Sequence, residues 1–156
     1  MNIVAVTNSV KNLFVNKYKA QSKNITVLPS GSSIKINTKP TLINNKRLKV
    51  GYFGSISPSK GINTIIKLSK IDRDNDYYIF GGLRNEINKL KKKNSNKNLF
   101  LSENVPYFDL QNIISKMDIL TIPYTSSIRS AGEVDDISKY TSPLKLFDYL
   151  AVGKII

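Results

Sequence analysis

The sequence predicts an α/β fold built on a mostly parallel sheet with helices on both faces. Short β-rich runs alternate with helix-periodic segments over nearly the whole chain. Most of those runs are continuously apolar, as strands buried on both faces are. Turn residues stand at the strand ends: Pro29-Ser30-Gly31, Gly54, Gly81-Gly82 and Val105-Pro106. In such sheets ligands bind beyond the carboxyl ends of the strands, where the strand order reverses. Function is expected in those loops.

Taken in order, residues 3–7 read as a strand, and Ser9 can cap a helix to about Tyr18 with Val10, Leu13 and Phe14 on one face. Residues 25–28 are a second strand. Residues 32–46 are polar, contain Pro40 and paired asparagines, and read as a linker. Residues 1–47 thus form a lead-in strand, helix and linker, and 48–156 the main domain. Its first strand, 48–54, runs into the turn 55–61 and a helix that buries Ile62, Ile65, Ile66 and Leu68. A strand at 76–80 ends at Gly81-Gly82 and precedes a Lys-rich helix carrying Ile87 and Leu90. A short strand at 98–101 leads to Val105-Pro106-Tyr107 and a helix with Leu110, Ile113, Ile114 and Met117 on one stripe. A strand at 118–123 is followed by a polar loop, 124–140. The last helix has Pro143 at its first position, where a missing N–H costs nothing, and Ser142 or Thr141 before it as a cap. Leu144, Phe147, Leu150 and Ala151 recur at helical spacing, and Gly153 supplies the left-handed closing residue. Lys154-Ile155-Ile156 reads as the beginning of another strand.

Composition excludes several chemistries. The 156 residues, 40% hydrophobic, suffice for one domain with a core. There is no cysteine and no histidine, so disulfides, thiolate nucleophiles, histidine acid–base catalysis and Cys/His zinc sites are ruled out. No apolar run approaches the ~20 residues of a membrane span. The N-terminal apolar run is too short for a signal peptide and lacks a basic segment before it. The net charge of +13 invites nucleic acid as a partner. However, the densest basic run, 89–97, carries no aromatic side chains to stack on bases, which disfavours that reading. A basic face can equally lie against anionic lipid headgroups. The expected location is the cytoplasm, with peripheral contact at a membrane.

Two stretches carry candidate chemistry. At 54–61 a strand-end glycine is followed by a turn ending in Lys60-Gly61, which puts a mobile ammonium near any phosphate bound at Gly54. The glycine spacing fits neither a Walker loop nor a dinucleotide fingerprint. At 142–153 a helix N-terminus offers free N–H groups and a partial positive charge, Lys145 adds a full one, and Asp148 places an acceptor one turn on. That set fits a phosphate followed by a hydroxylated group such as ribose. It equally fits a capped amphipathic helix with two solvated charges. Gly81-Gly82 permits close approach of a ligand or simply a tight turn. Asp118 reads as a turn residue and Asp135-Asp136 as solvated, while Arg129 in the same loop has the reach to close over an anion.

Together and in this order, 54–61, Ile79-Phe80-Gly81-Gly82, Val105-Pro106-Tyr107, 117–124 and 142–154 resemble the C-terminal domain of group 1 (family four) retaining glycosyltransferases. Val27-Leu28-Pro29-Ser30-Gly31 is similar to the segment by which that family's chain enters this domain. The resemblance implies one Rossmann-like half of a GT-B fold, binding a nucleotide-diphosphate sugar of UDP or GDP type as substrate, with no cofactor and no metal. It implies that Lys60 and Lys145 stabilise the leaving diphosphate, aided by backbone N–H groups at Leu144 and Lys145 behind Ser142 and Pro143. Gly54 and Ser55 would lie beside the phosphates, and Gly82, Val105 and Pro106 would flank the base and donor. Asp148 matches the second acid of the family's E-x7-E pattern and would bind ribose, whereas Tyr140 stands in place of the first. Ser55 replaces an arginine often found there, which removes a bidentate phosphate ligand. The resemblance further implies a fragment lacking the acceptor-binding N-terminal domain and cut within its last strand, expected to bind nucleotide weakly and not to transfer sugar alone. Two other readings remain open here: a GT-B sugar-nucleotide epimerase, and a non-catalytic basic module for nucleic acid or anionic lipid.

Overall fold

The computed structural model describes residues 2–34, 46–129 and 135–156. Most of the expected linker and the centre of the 124–140 loop lie outside the described residues.

Two sheets form rather than one. β1 (Ile3–Ala5) and β2 (Ile25–Val27) pair in parallel, with Ile3 opposite Ile25, and are joined through α1 (Asn8–Tyr18). The larger sheet contains β3 (Lys49–Phe53), β4 (Asp76–Phe80), β5 (Leu99–Ser102) and β6 (Ile119–Leu120). Its order is β5-β4-β3-β6, all parallel. The crossovers are α2 (Ile62–Ile71), α3 (Arg84–Lys93) and α4 (Tyr107–Ile114), and α5 (Leu144–Ala151) follows β6. The chain steps outward from β3 to β4 to β5, then returns to the far side of β3. That reversal opens a crevice between the ends of β3 and β6.

The period-2 alternation of strand side chains supplies both faces. Val50 and Tyr52 of β3, with Tyr77 and Ile79 of β4, pack against Ile62, Ile65 and Ile66 of α2 and Ile87 of α3. Phe53 and Leu120 pack on the opposite face with Ile114, Met117 and Tyr149. Both faces are covered, which is why the strands read as unbroken apolar runs.

Several local expectations need correction. In α2, Leu68 is 42% exposed and Ser69 is buried instead, donating its Oγ–H to the Ile66 carbonyl. The helical stripe from Ile62, Ile65 and Ile66 arrives at 69, not 68. Helix α1 is capped by Thr7, whose Oγ1 accepts from the Val10 N–H at 3.1 Å, so Ser9 lies inside the helix. None of its residues is fully buried. Pro143 has ψ 87 and stands outside α5, and no side chain caps that helix; Thr141 instead donates to the Ile137 carbonyl. The fully buried residue of α5 is Tyr149, whereas Leu144 and Leu150 face solvent. The expected 118–123 strand contracts to Ile119–Leu120, although the Thr121 N–H still bonds to the Gly51 carbonyl. Asp118 acts as a turn residue, its Oδ2 accepting from the Lys49 N–H. Beyond Gly153, which has φ 64, Ile155 pairs in parallel with Ile119 on the free side of β6.

Candidate functional site

The sheet delivers Phe53 to the carboxyl edge of β3, and two contacts fix the turn that follows. The Gly54 N–H donates to the Phe80 carbonyl, and the Phe53 N–H donates to the Tyr149 hydroxyl at 3.1 Å. Gly54 has φ 148 and lies under Lys145: a Cβ there would sit 2.5 Å from Nζ. The backbone conformation is what favours glycine here, and a side chain would also have to push the lysine tip aside.

Lys60 reaches the same region from the turn before α2. Gly61 there has φ 77, and an added Cβ would run into the Pro123 carbonyl. Next to it, the Thr125 N–H donates to the Ser59 carbonyl at 3.3 Å, while its Oγ1 lies 2.7 Å from the Ser127 carbonyl and 3.1 Å from that of Ser59. These contacts stitch the segment after β6 to the segment after β3 and place Tyr124 beside both lysines. Lys60 Nζ is 4.6 Å from the Tyr124 ring centroid, and Lys145 Nζ is 5.0 Å from it. Lys145 also stands 4.2 Å from the centroid of Tyr52 and donates to its hydroxyl at 3.2 Å; that hydroxyl donates to the Ser55 carbonyl. Burial, and then the nearby positive charge of Lys60, push the Lys145 ammonium down from 10.5 to about 8. Burial holds the Tyr124 phenol up, so it remains neutral and presents its ring.

One turn along α5, Asp148 directs Oδ1 at two hydroxyls. Ser32 donates to it at 2.6 Å and Tyr107 at 3.4 Å, and the Tyr107 and Ser33 hydroxyls are 3.0 Å apart. Between the lysine and the carboxylate lies a cavity of about 200 Å³. It is lined by Phe53, Gly54, Phe80, Asn104, Val105, Leu110, Ile114, Lys145, Asp148 and Tyr149. Phe53 and Phe80 stack within it, centroids 4.8 Å apart. A cation at one side, a carboxylate at the other and an aromatic surface between can hold an anion, a hydroxyl and a flat apolar group together. Among the described residues no group of three or more Asp or Glu gathers to hold a metal ion.

Of the residues singled out from the sequence, Gly54, Val105, Lys145 and Asp148 line this cavity, and Lys60 stands outside that lining against Tyr124. Gly82 borders it through backbone, its carbonyl accepting from the Asn104 N–H. Pro106 stands at the start of α4, and its carbonyl accepts from the Asp109 N–H. Ser55 contributes a carbonyl rather than its side chain. Ser142 and Pro143 are half-buried ahead of α5, and Leu144 begins the helix exposed. Tyr140 lines a separate hollow with Ser9, Asn12 and Leu13 of α1. Arg129 pairs through its backbone with Asp136. Sequence reading missed Tyr52, Tyr124, Tyr149, Tyr107 and Ser32. Tyr52 and Tyr149 carry the same apolar periodicity as core residues, and Ser32 reaches Asp148 across 116 positions. Tyr124, an aromatic immediately after a strand-ending proline, was the one with a local signal.

No protein-family model and no curated protein sequence matches the chain. Solved structures do match. Anabaena HepE in complex with UDP-glucose superposes with a TM-score of 0.65 at 15% identity, over 98% of this chain and 43% of that one. WaaG, a glycosyltransferase involved in lipopolysaccharide biosynthesis, gives 0.66 at 14% identity, over 97% of this chain and 42% of its own. TarM gives 0.55 at 20% identity, over 76% of this chain and 24% of its own. The fold is that of a GT-B glycosyltransferase-like domain, and the chain spans less than half the length of each of these proteins.

Proposed function

We propose that this domain binds a nucleoside-diphosphate sugar and forms the donor half of a retaining glycosyltransferase of the hexosyl-transferring type. The observation that carries the reading is the convergence of the Lys60 and Lys145 ammonium groups beside Tyr124, at the crevice where strand order reverses. The bound UDP-glucose in the HepE structure supports the same ligand class.

In this reading the diphosphate lies between Lys60, Lys145 and the first N–H groups of α5, which have no partner within the helix. The ribose meets Asp148 and the base lies toward Val105. On transfer, the bond from the anomeric carbon to the β-phosphate oxygen breaks, and its electron pair stays on the phosphate. An acceptor hydroxyl forms the new bond on the same face, and its proton passes to the departing phosphate. The lysines neutralise the charge that accumulates there, a role worth a few kcal/mol per contact in a site that excludes water. The acceptor site belongs to a partnering N-terminal domain in this proposal.

Calorimetric titration with UDP, GDP, UDP-glucose and a short oligonucleotide, at low and high salt, tests the assignment. Saturable nucleotide binding with a base preference is expected. Binding that collapses steeply with salt and ignores the base would assign the domain to the basic-module class instead.

A further inference from the structure

Lys60 and Lys145 are like charges gathered at one ring, and Lys60 already counts against the protonated form of Lys145. Something must hold both in place before an anion arrives. The Tyr124 ring lies within 5.0 Å of both ammonium groups. The backbone that carries this ring is fastened on both sides. On one side the Pro123 carbonyl abuts Gly61, and on the other the Thr125 N–H donates to the Ser59 carbonyl. The electron-rich face of an aromatic ring attracts a desolvated ammonium whether or not the ring carries a hydroxyl.

We propose that Tyr124 is a positioning residue for the donor diphosphate, its ring holding the Lys60 and Lys145 ammonium groups together so that the phosphates meet a pre-arranged pair. This rests on the donor-site reading above. It adds that an uncharged residue, not itself a phosphate ligand, sets the affinity for the diphosphate portion. Removing the ring while keeping bulk takes one ring contact from each lysine, leaving Lys145 on Tyr52, and should weaken diphosphate binding about fivefold to tenfold, as expected for losing two such contacts. Replacing tyrosine by phenylalanine should preserve binding, because the ring face remains.

The test is calorimetry of the 156-residue protein and its Tyr124→Phe and Tyr124→Leu variants, with UDP and with uridine as probes. Expected are wild-type UDP affinity in Tyr124→Phe, weakened UDP affinity in Tyr124→Leu, and uridine affinity that is the same in all three. A Tyr124→Phe variant that loses UDP binding would show that the hydroxyl matters and overturn the proposal, even if Tyr124→Leu failed to fold. Equal loss of UDP and uridine in Tyr124→Leu would assign the ring to the base and overturn it too. Wild-type protein that binds neither UDP nor GDP refutes the donor-site reading and this inference with it, and a preference for GDP moves the same comparison to GDP and guanosine. Binding by wild type that survives Tyr124→Leu unchanged refutes this inference alone.

Discussion

Lys145 offers a sharp pH test of the donor site. In the empty site its ammonium is held at about 8, against an ordinary 10.5, by burial and by Lys60. A diphosphate placed beside it favours the charged form, so binding must return that value toward the ordinary one. The sign follows directly: the protonated lysine binds, so affinity is at its fullest below pH 8 and falls as pH rises above it. At pH 9 only about one empty site in ten carries the proton while the occupied sites keep it, so the UDP dissociation constant should rise about tenfold between pH 7 and pH 9. Calorimetry at half-unit intervals measures this. The ligand's own ionisation, that of the uracil included, is common to wild type and a Lys145→Met variant, so the difference between their slopes isolates Lys145. Lys145→Met should start weaker at pH 7 and lack the extra tenfold loss. Parallel slopes for the two proteins would refute the placement of a phosphate against Lys145.

The same depressed lysine should cost stability in the empty protein. Below pH 8 the folded state holds a buried charge that the unfolded chain carries in water, so wild-type stability should increase as pH climbs from 8 to 10.5. Lys145→Met should accordingly be more stable than wild type at pH 7 by about 1–3 kcal/mol, read from chemical denaturation; lower stability would contradict the burial argument. Gly61→Ala combines a left-handed backbone with a collision against the Pro123 carbonyl and should cost about 2–4 kcal/mol. An unchanged melting temperature would show that the two turns are not stitched as described. Tyr149→Phe leaves the buried Phe53 N–H without its acceptor and should cost about 1–3 kcal/mol; a neutral substitution would mean that the N–H had found another partner.

Strand and helix order, the parallel sheet and its buried faces were legible in the sequence, because apolar periodicity is a local signal that burial on both faces preserves. So were Gly54, Lys60, Lys145 and Asp148 as candidates, since each stands at a strand-to-helix turn or on a helix beginning there. Helix ends were less legible. Ser9 and Ser142 looked like caps, yet Thr7 caps α1 and no side chain caps α5, because which hydroxyl turns inward depends on the approach of the chain before it. What only tertiary structure decided is the electrostatics of the site. Nothing in the order of residues says that Tyr124 stands beside two lysines, that Tyr52 receives one of them, or that Ser32 donates to Asp148. Those contacts join segments up to 116 positions apart. They depend on the return of the chain from β5 to the far side of β3, which brings the loop after β6 against the turn after β3. The sequence determined which charges this protein carries at its strand ends. Their depth, spacing and partners, and hence the lowered basicity of Lys145, came from packing, because desolvation is a property of everything that surrounds a group.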